Sequence, residues 1–381
     1  MINKAEFFAL YAGLLRGLNL VQQKSWNESE LAQEFPKLAH VWRPLLSARY
    51  APQVIDGPKR LALEELRRQL QSWDDPLEAS LLDRRFTKIE RYWREVEKPL
   101  CDAESLHFFL EDYPLLAIDH SLRPGVQSVP AEKLSSHEAM HILRAELDTL
   151  FPQHPTKITL SASTLARAST TKRGIRLRED ASYTREELAM LTVHEGWVHL
   201  GSNLAGATQR ELPWLAHWHP GVTGLQEGLA LVAEIVSGHW NREREVQVVL
   251  RHKAAILALA GMRAREVWNY LCDHQLHPDR ALEMTLRLFR GCPLSGGMVF
   301  GKELQYVLGL QQWLSRRDEL SPRDVQIALS GKMDFLEWEV LRSTALGKRL
   351  KLATPPQDLL HWMHSPRLEE WLKTVSFKKI A

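Results

Sequence analysis

The residues best suited to hydrolytic chemistry crowd into one hexapeptide, His194-Glu195-Gly196-Trp197-Val198-His199. Two imidazoles can hold a metal ion, and a carboxylate beside the first can move a proton. The familiar zinc-peptidase helix spaces its histidines four apart, so that both rings share a face. Here they are five apart, and on an ideal helix five residues turn by about 500°, leaving the rings about 140° apart. One π-type turn absorbs the extra residue and restores a common face. The spacing therefore predicts a π-bulge or widened turn between Glu195 and His199, with Gly196 lowering the resistance to it. Thr184 and Glu187 stand in capping-box spacing ahead of the apolar positions Leu188, Leu191 and Val193, so the helix is expected to start there.

A catalytic zinc needs a third protein ligand and an open position for water. Thr223-Gly224-Leu225-Gln226-Glu227-Gly228-Leu229-Ala230 offers one. Thr223 and Gln226 again have capping-box spacing, which starts a helix near Gly224 and places Glu227 in its first turn. A carboxylate on an otherwise buried helix needs a partner, and Zn²⁺ is such a partner. Glu234, seven residues on, is placed to hydrogen-bond a ligand histidine from behind. The bland alternatives are core histidines and a carboxylate favoured by a helix N-terminus. A competing motif, His137-Glu138-Ala139-Met140-His141, has the usual four-residue spacing. It follows a Pro-rich passage, however, on a helix whose Leu134, Met140, Ile142, Leu143 and Leu147 read as ordinary amphipathic packing.

The string Leu225-Gln226-Glu227-Gly228-Leu229-Ala230 resembles the signature of the QEGLA-motif family, once described as flavohemoglobin-expression modulators, which includes the vertebrate microtubule-associated tyrosine carboxypeptidases. The family's upstream histidine–glutamate–three residues–histidine motif matches His194, Glu195 and His199. Arg287-Leu288-Phe289-Arg290-Gly291 and Gly296-Gly297 through Phe300, Lys302 and Tyr306 look like its arginine-glycine and phenylalanine–threonine–lysine–aspartate segments. Gly301 and Glu303 depart from that pattern, where the family has a hydroxyl residue and aspartate. The resemblance covers about residues 130–310 and implies a metallo-carboxypeptidase with a zincin-like core, acting on a C-terminal aromatic or similar residue.

On this reading Zn²⁺ is held by His194, His199 and Glu227, and Glu195 takes the proton of a water whose pKa the metal lowers to about 7. The substrate is a peptide or protein C-terminus. Its carboxylate requires a cation, for which Lys302, Arg287, Arg290 and Arg210 are candidates and Lys302 is preferred. Tyr306, one turn after Lys302, is a candidate oxyanion donor. Asn203, four residues after His199, is a candidate for orienting that imidazole or meeting the substrate backbone. Two other classes stay open: a non-catalytic regulator with a structural or lost metal site, and a zinc amidohydrolase acting on non-peptide amides.

These side chains must be positioned by a mostly helical α+β protein. Apolar periodicity predicts helices in Phe7–Val21, Leu61–Trp73 and Phe86–Val96, punctuated at Pro52, Gly57–Pro58 and Pro76. Pro114, Pro124 and Pro130 mark a looser passage before a helix at about Ser135–Leu150. Ile158–Leu160 and Gly174–Arg178 are the strand candidates, forming a small sheet beside the metal helix; Gly174–Arg178 could offer an edge to an extended peptide. Helical spacing then runs from Thr184 to about residue 352. The expected division is a helical N-terminal region, 1–112, and a catalytic domain, 113–381.

Composition narrows the classes. In 381 residues, 44% apolar and 25% charged, 49 Lys plus Arg nearly balance 47 Asp plus Glu, for a net charge of +2. That balance argues against a nucleic-acid partner. Cys101, Cys272 and Cys292 lie far apart and make neither a disulfide framework nor a thiolate metal site. No stretch approaches the roughly 20 uncharged residues needed to cross a bilayer, and the apolar start of the chain reads as a packed helix rather than a targeting segment. No membrane partner is expected, and a cytoplasmic location is.

Overall fold

The computed structural model describes residues 2–16, 18, 28–46, 54–98, 101–110, 115–120, 132–162 and 166–379. Among them, α1 (Lys4–Leu14), α2 (Glu28–Glu34), α3 (Ala39–Leu46), α4 (Gly57–Leu70), α5 (Pro76–Glu97) and α6 (Ala103–Leu110) come first. Strand β1 (Leu116–His120), helix α7 (Ser136–Leu150) and strands β2 (Lys157–Ser161), β3 (Ala168–Thr171) and β4 (Gly174–Arg178) follow. One helical rod then runs through α8 (Arg185–Leu191), a π-helical segment (Thr192–Leu200) and α9 (Gly201–Ala207). The later helices are α10 (Val222–Ser237), α11 (Arg242–Leu259), α12 (Ala264–Asp273), α13 (Pro278–Leu288), α14 (Gln305–Leu314), α15 (Pro322–Leu329), α16 (Phe335–Ser343), α17 (Gln357–Leu360) and α18 (Pro366–Leu372), before strand β5 (Val375–Lys379). The fold is α+β and mostly helical, as the periodicity implies.

Gly57–Pro58 and Pro76 start helices rather than merely separating them. Asp56 and Asp75 accept from the free amides of the first turns of α4 and α5, and each proline occupies a first-turn position where a missing N–H costs nothing. The punctuation expected at Pro52, Pro114, Pro124 and Pro130, and the end of the Phe7–Val21 run, lie outside the described residues.

The three-stranded sheet has the order β2-β4-β3, with β2 parallel and β3 antiparallel to β4. Gly174–Arg178 is thus the central strand and has no open edge. The edge beside the π-helical segment belongs to β3, which the sequence reading did not foresee. A second sheet pairs β1 with β5 antiparallel, joining Leu116 to Lys379 at one end of the register.

Among the described residues, the apolar core falls into two clusters. The smaller collects Leu143 and Leu147 of α7, Ile158 and Ile175 of the sheet, and Leu188, Leu191 and Leu200 of the rod. The larger runs from Phe7 through Trp93 and Trp214 to Trp371. At its centre α10 is buried on every side from Val222 to Val236. Its backbone lies directly against α14: a Cβ on Gly228 would stand 2.2 Å from the Gly309 carbonyl carbon, and one on Gly309 would stand 2.0 Å from the Gly224 oxygen. Only glycines permit that approach. Among the described residues, no helix is long and apolar enough to cross a membrane.

One buried histidine fixes the second sheet to the helices and makes stability depend on pH. His252 of α11 donates from Nε2 to the Leu116 carbonyl at 2.7 Å, while its Nδ1 is buried with no hydrogen-bond partner among the described residues. Burial, with a contribution from Arg251, pushes its pKa down to about 4. An unfolded histidine titrates near 6.5, so the unfolded chain takes up the proton first as pH falls from about 6.5 towards about 4. Stability is therefore lost on acidification, by roughly 2 kcal/mol at pH 5. Urea midpoints at pH 7.5 and 5 are expected to show this loss in the parent and a smaller one in His252→Gln.

Candidate active site

The rod carries the hexapeptide. Thr184 caps α8 by accepting from the Glu187 amide at 3.1 Å. The reciprocal half of the capping box is not formed, because the Glu187 carboxylate is taken by Arg167, with Nη2 at 2.6 Å. The π-helical segment spans Thr192–Leu200. It brings the His194 and His199 rings to 5.0 Å between centroids, so that two residues five apart share one face. Gly196 faces α7, where a Cβ would press on Leu147 at 2.9 Å.

Glu227 meets both rings. Its Oε2 lies 3.2 Å from His194 Nε2 and 3.4 Å from His199 Nε2. The local reading of this helix needs one correction: α10 begins at Val222 after Gly221 with no side-chain cap, so Glu227 sits in the second turn. The Gln226 side chain reaches the π-helical segment and α9 instead of capping. Its Oε1 lies 3.4 Å from His199 Nδ1, and its Nε2 donates to Ser202 Oγ at 3.2 Å.

Each imidazole is therefore held from behind. His194 Nδ1 lies 2.6 Å from Glu234 Oε1, as expected from the spacing. Arg244 grips the same carboxylate with two bonds of 2.7 Å. On the other side Lys332 Nζ donates to the His199 carbonyl at 3.1 Å and to Gln226 Oε1 at 3.0 Å. Burial pushes the Lys332 pKa down to about 7, against the pull of Glu227 and Glu195. With the second ring nitrogens engaged, both Nε2 atoms face Glu227.

The electrostatics match this arrangement. Burial alone would raise the Glu227 pKa, but His199, Lys302 and the bond from His194 hold it well below the usual carboxylate range. Burial works against a charged His194, yet its bonds to Glu227 and Glu234 raise its pKa to about 9. The buried Glu227 is thus met by His194, His199 and Lys302, and the buried Glu234 by Arg244 and His194.

Glu195 is half-buried, its Oε2 accepting from Thr170 Oγ1 at 2.5 Å. One ligand-type atom from each of His194, Glu195 and His199 falls within 4.8 Å of the others. The hydroxyl of β3 thus holds Glu195 while Glu227 meets the rings.

Lys302 Nζ stands 3.5 Å from Glu227 Oε1. Tyr306 stacks near His194, 6.3 Å between centroids, and its hydroxyl accepts from Arg287 Nη2 at 3.1 Å. Arg287 also binds Glu303 at 2.7 Å. Arg251 shares Glu303 and covers the Tyr306 ring at 4.6 Å. Arg290 is buried, 5.7 Å over Phe300, and Arg210 is exposed. Gly301 has a local cause: a Cβ there would stand 2.8 Å from Phe109 Cβ, so Phe109 fills the place of a hydroxyl side chain. Asn203 does not reach either imidazole; its amide donates to the Thr171 carbonyl at 2.8 Å and ties α9 to β3.

The competing motif lies apart. Glu138 completes a capping box with Ser135 at the start of α7, and His137 and His141 are exposed. A second acid–histidine cluster, His219, Asp334 and Glu337, is buried. Its charges are met by arginine and lysine: Arg85 binds Glu337, and Arg84 and Lys88 bind Asp334. Sequence reasoning missed Thr170, Arg244, Arg251 and Lys332, for which no local pattern gives a signal. Gln226 was read as a cap, though its place beside Glu227 marks it as near the site.

A comparison with curated proteins finds no match. A family model described as microtubule-associated tyrosine carboxypeptidase matches residues 113–379, a longer span than the motifs alone indicate. That match takes in the hexapeptide, Glu227 and Glu234, and also the outlying Lys332. The chain belongs to the microtubule-associated tyrosine carboxypeptidase family.

Proposed function

We propose that this chain is a zinc-dependent peptide hydrolase that removes a residue from a peptide or protein C-terminus. The observation that carries the reading is the convergence of His194 Nε2, His199 Nε2 and Glu227 Oε2. Donors about 2.1 Å from one centre at tetrahedral angles lie roughly 3.4 Å apart; the separations from Glu227 are 3.2 and 3.4 Å. Two imidazoles and one carboxylate form the donor set of a catalytic zinc site, whereas a structural site takes four protein ligands.

When bound, the ion supplies Lewis-acid polarisation of the scissile carbonyl and acidifies water. The chain's residues do the rest. Glu195 accepts a proton from the attacking water and passes it to the leaving amine. Tyr306 and Lys302 stand on the Glu227 side of the rings, where a tetrahedral oxyanion and a terminal carboxylate need donors. Arg287 is committed to Glu303 and Tyr306. Among the described residues Lys302 pairs with Glu227, with Tyr306 and Glu303 also acting on its charge; a bound cation would claim the Glu227 charge, and this favours Lys302 as the carboxylate anchor.

Elemental mass spectrometry of wild-type, His199→Ala and His141→Ala proteins tests the reading, together with mass analysis of peptides before and after incubation. The expected result is about one zinc per chain, lost in His199→Ala and kept in His141→Ala, with single-residue C-terminal trimming by the metal-loaded proteins only. Metal retained by His199→Ala but lost by His141→Ala would move the site to α7. Metal-free protein that still trims peptides would overturn the mechanism.

A further inference from the structure

We infer that Thr170 is a positioning residue for the reaction: its hydroxyl holds one oxygen of the Glu195 carboxylate and leaves the other to meet water. This rests on the proposed role of Glu195 and adds the element that aims it. Thr170 Oγ1 stands 2.5 Å from Glu195 Oε2 and 3.2 Å from the Glu195 carbonyl. A hydroxyl has one proton, and the shorter distance assigns it to the carboxylate, in the range of strong O–H···O⁻ bonds.

The platform for that hydroxyl is well fixed. Threonine is β-branched and stiff at χ1. In the β3–β4 ladder Thr170 is paired with Ile175, which is fully buried in the smaller core. The next residue anchors the strand end: the Thr171 carbonyl accepts from Asn203, and the Thr171 hydroxyl donates to the Gly174 carbonyl at 3.0 Å. Asn203 belongs to α9, which continues the metal-binding rod. Strand and rod are therefore tied together just beyond the point where Thr170 meets Glu195.

The need for such an anchor follows from the side chain itself. A glutamate beside a metal ligand has three rotatable bonds, and a general base works only when its oxygen meets the proton at hydrogen-bond distance. A bond to Oε2 makes the carboxylate slightly less basic but keeps Oε1 in one place. Orientation outweighs basicity when small displacements cost large factors in rate.

Thr170→Val keeps the β-branched shape and removes the hydroxyl, and Thr170→Ser keeps the hydroxyl. The expected result is a kcat lowered about 30-fold in Thr170→Val and within about 3-fold of the parent in Thr170→Ser. KM, zinc content and melting temperature should stay near the parent values in both. In crystals of Thr170→Val the Glu195 carboxylate is expected to leave its position or spread over several rotamers, a readout independent of turnover. On a Glu195→Gln background Thr170→Val should add no further loss. Parent-like kcat in Thr170→Val, an unmoved Glu195 carboxylate, loss of zinc alongside rate, or an additive loss in the double variant would each overturn the inference. Glu195→Gln with parent activity would instead overturn the proposed function, and the crystallographic result would still decide the anchoring role.

Discussion

Glu195→Gln is expected to lower kcat on a C-terminally trimmed peptide by on the order of 10³-fold while zinc content stays at the parent level. The substitution keeps length and shape, and the glutamine carbonyl can still accept from Thr170. Only the basic oxygen is lost. The prediction separates two roles that distance leaves close together, since Glu195 has a ligand-type atom within 4.8 Å of those of His194 and His199. If Glu195 were the third ligand, its amide would also weaken the metal. The geometry argues otherwise: the Glu227 oxygen is 3.2 and 3.4 Å from the two Nε2 atoms, whereas Glu195 is held by a hydroxyl from the sheet. Glu227→Gln should accordingly show the opposite pattern, losing zinc and rate together. Steady-state kinetics with elemental analysis of the same preparations distinguishes the two. Parent-like turnover in Glu195→Gln would remove Glu195 as the general base.

How much of this was legible in the sequence depends on how local each cause is. The π-helical segment could be read because two histidines five apart can share a face in only one simple way. Glu234 could be read because seven residues on a helix return to the same side. Strand β3 could not: Ala168-Ser169-Thr170-Thr171 has no apolar alternation, and its place is set by pairing with β4 and by bonds to Glu195 and Asn203. The β1–β5 pair joins residues over 250 positions apart, a contact that no window detects. The four-residue histidine spacing at His137 and His141 falls on a different face from the packing of its helix. On α7 those rings point to solvent, and the buried face is Ala139, Leu143 and Leu147. Lys332 and Arg244 show the same limit from the other side. Each is one polar residue among many, and only the fold brings it behind a histidine of the candidate site.

The same non-local logic makes Arg85 a residue whose loss should be strongly destabilising. Arg85→Met is expected to destabilise the protein by about 3–5 kcal/mol at pH 7, because it leaves a buried carboxylate without its partner. The guanidinium is fully buried. It binds Glu337 through Nε at 2.7 Å and Nη2 at 2.9 Å, donates to the Trp214 carbonyl at 2.7 Å and the His217 carbonyl at 3.1 Å, and also bonds the Lys332 carbonyl. Trp214 lies against its face at 4.3 Å. Burial would raise the Glu337 pKa, yet Arg85 and His219 hold it far below the usual carboxylate range. A depressed folded pKa means that this stabilisation is present above the ordinary glutamate range and is lost as pH falls through and below it. In Arg85→Met, Glu337 can take up a proton and escape its burial penalty, so the gap between parent and variant should narrow at low pH. Urea midpoints at pH 7 and pH 4 test this, and Arg85→Met/Glu337→Met should recover part of the loss, since neither partner is then left charged. The consequence reaches the site because Arg85 holds the carbonyl of Lys332, whose ammonium holds the carbonyl of His199. A helix that precedes the family-matched span therefore supports a proposed metal ligand. Arg85→Met should weaken zinc retention at temperatures where the chain is still folded, whereas unchanged retention would confine the network to stability alone.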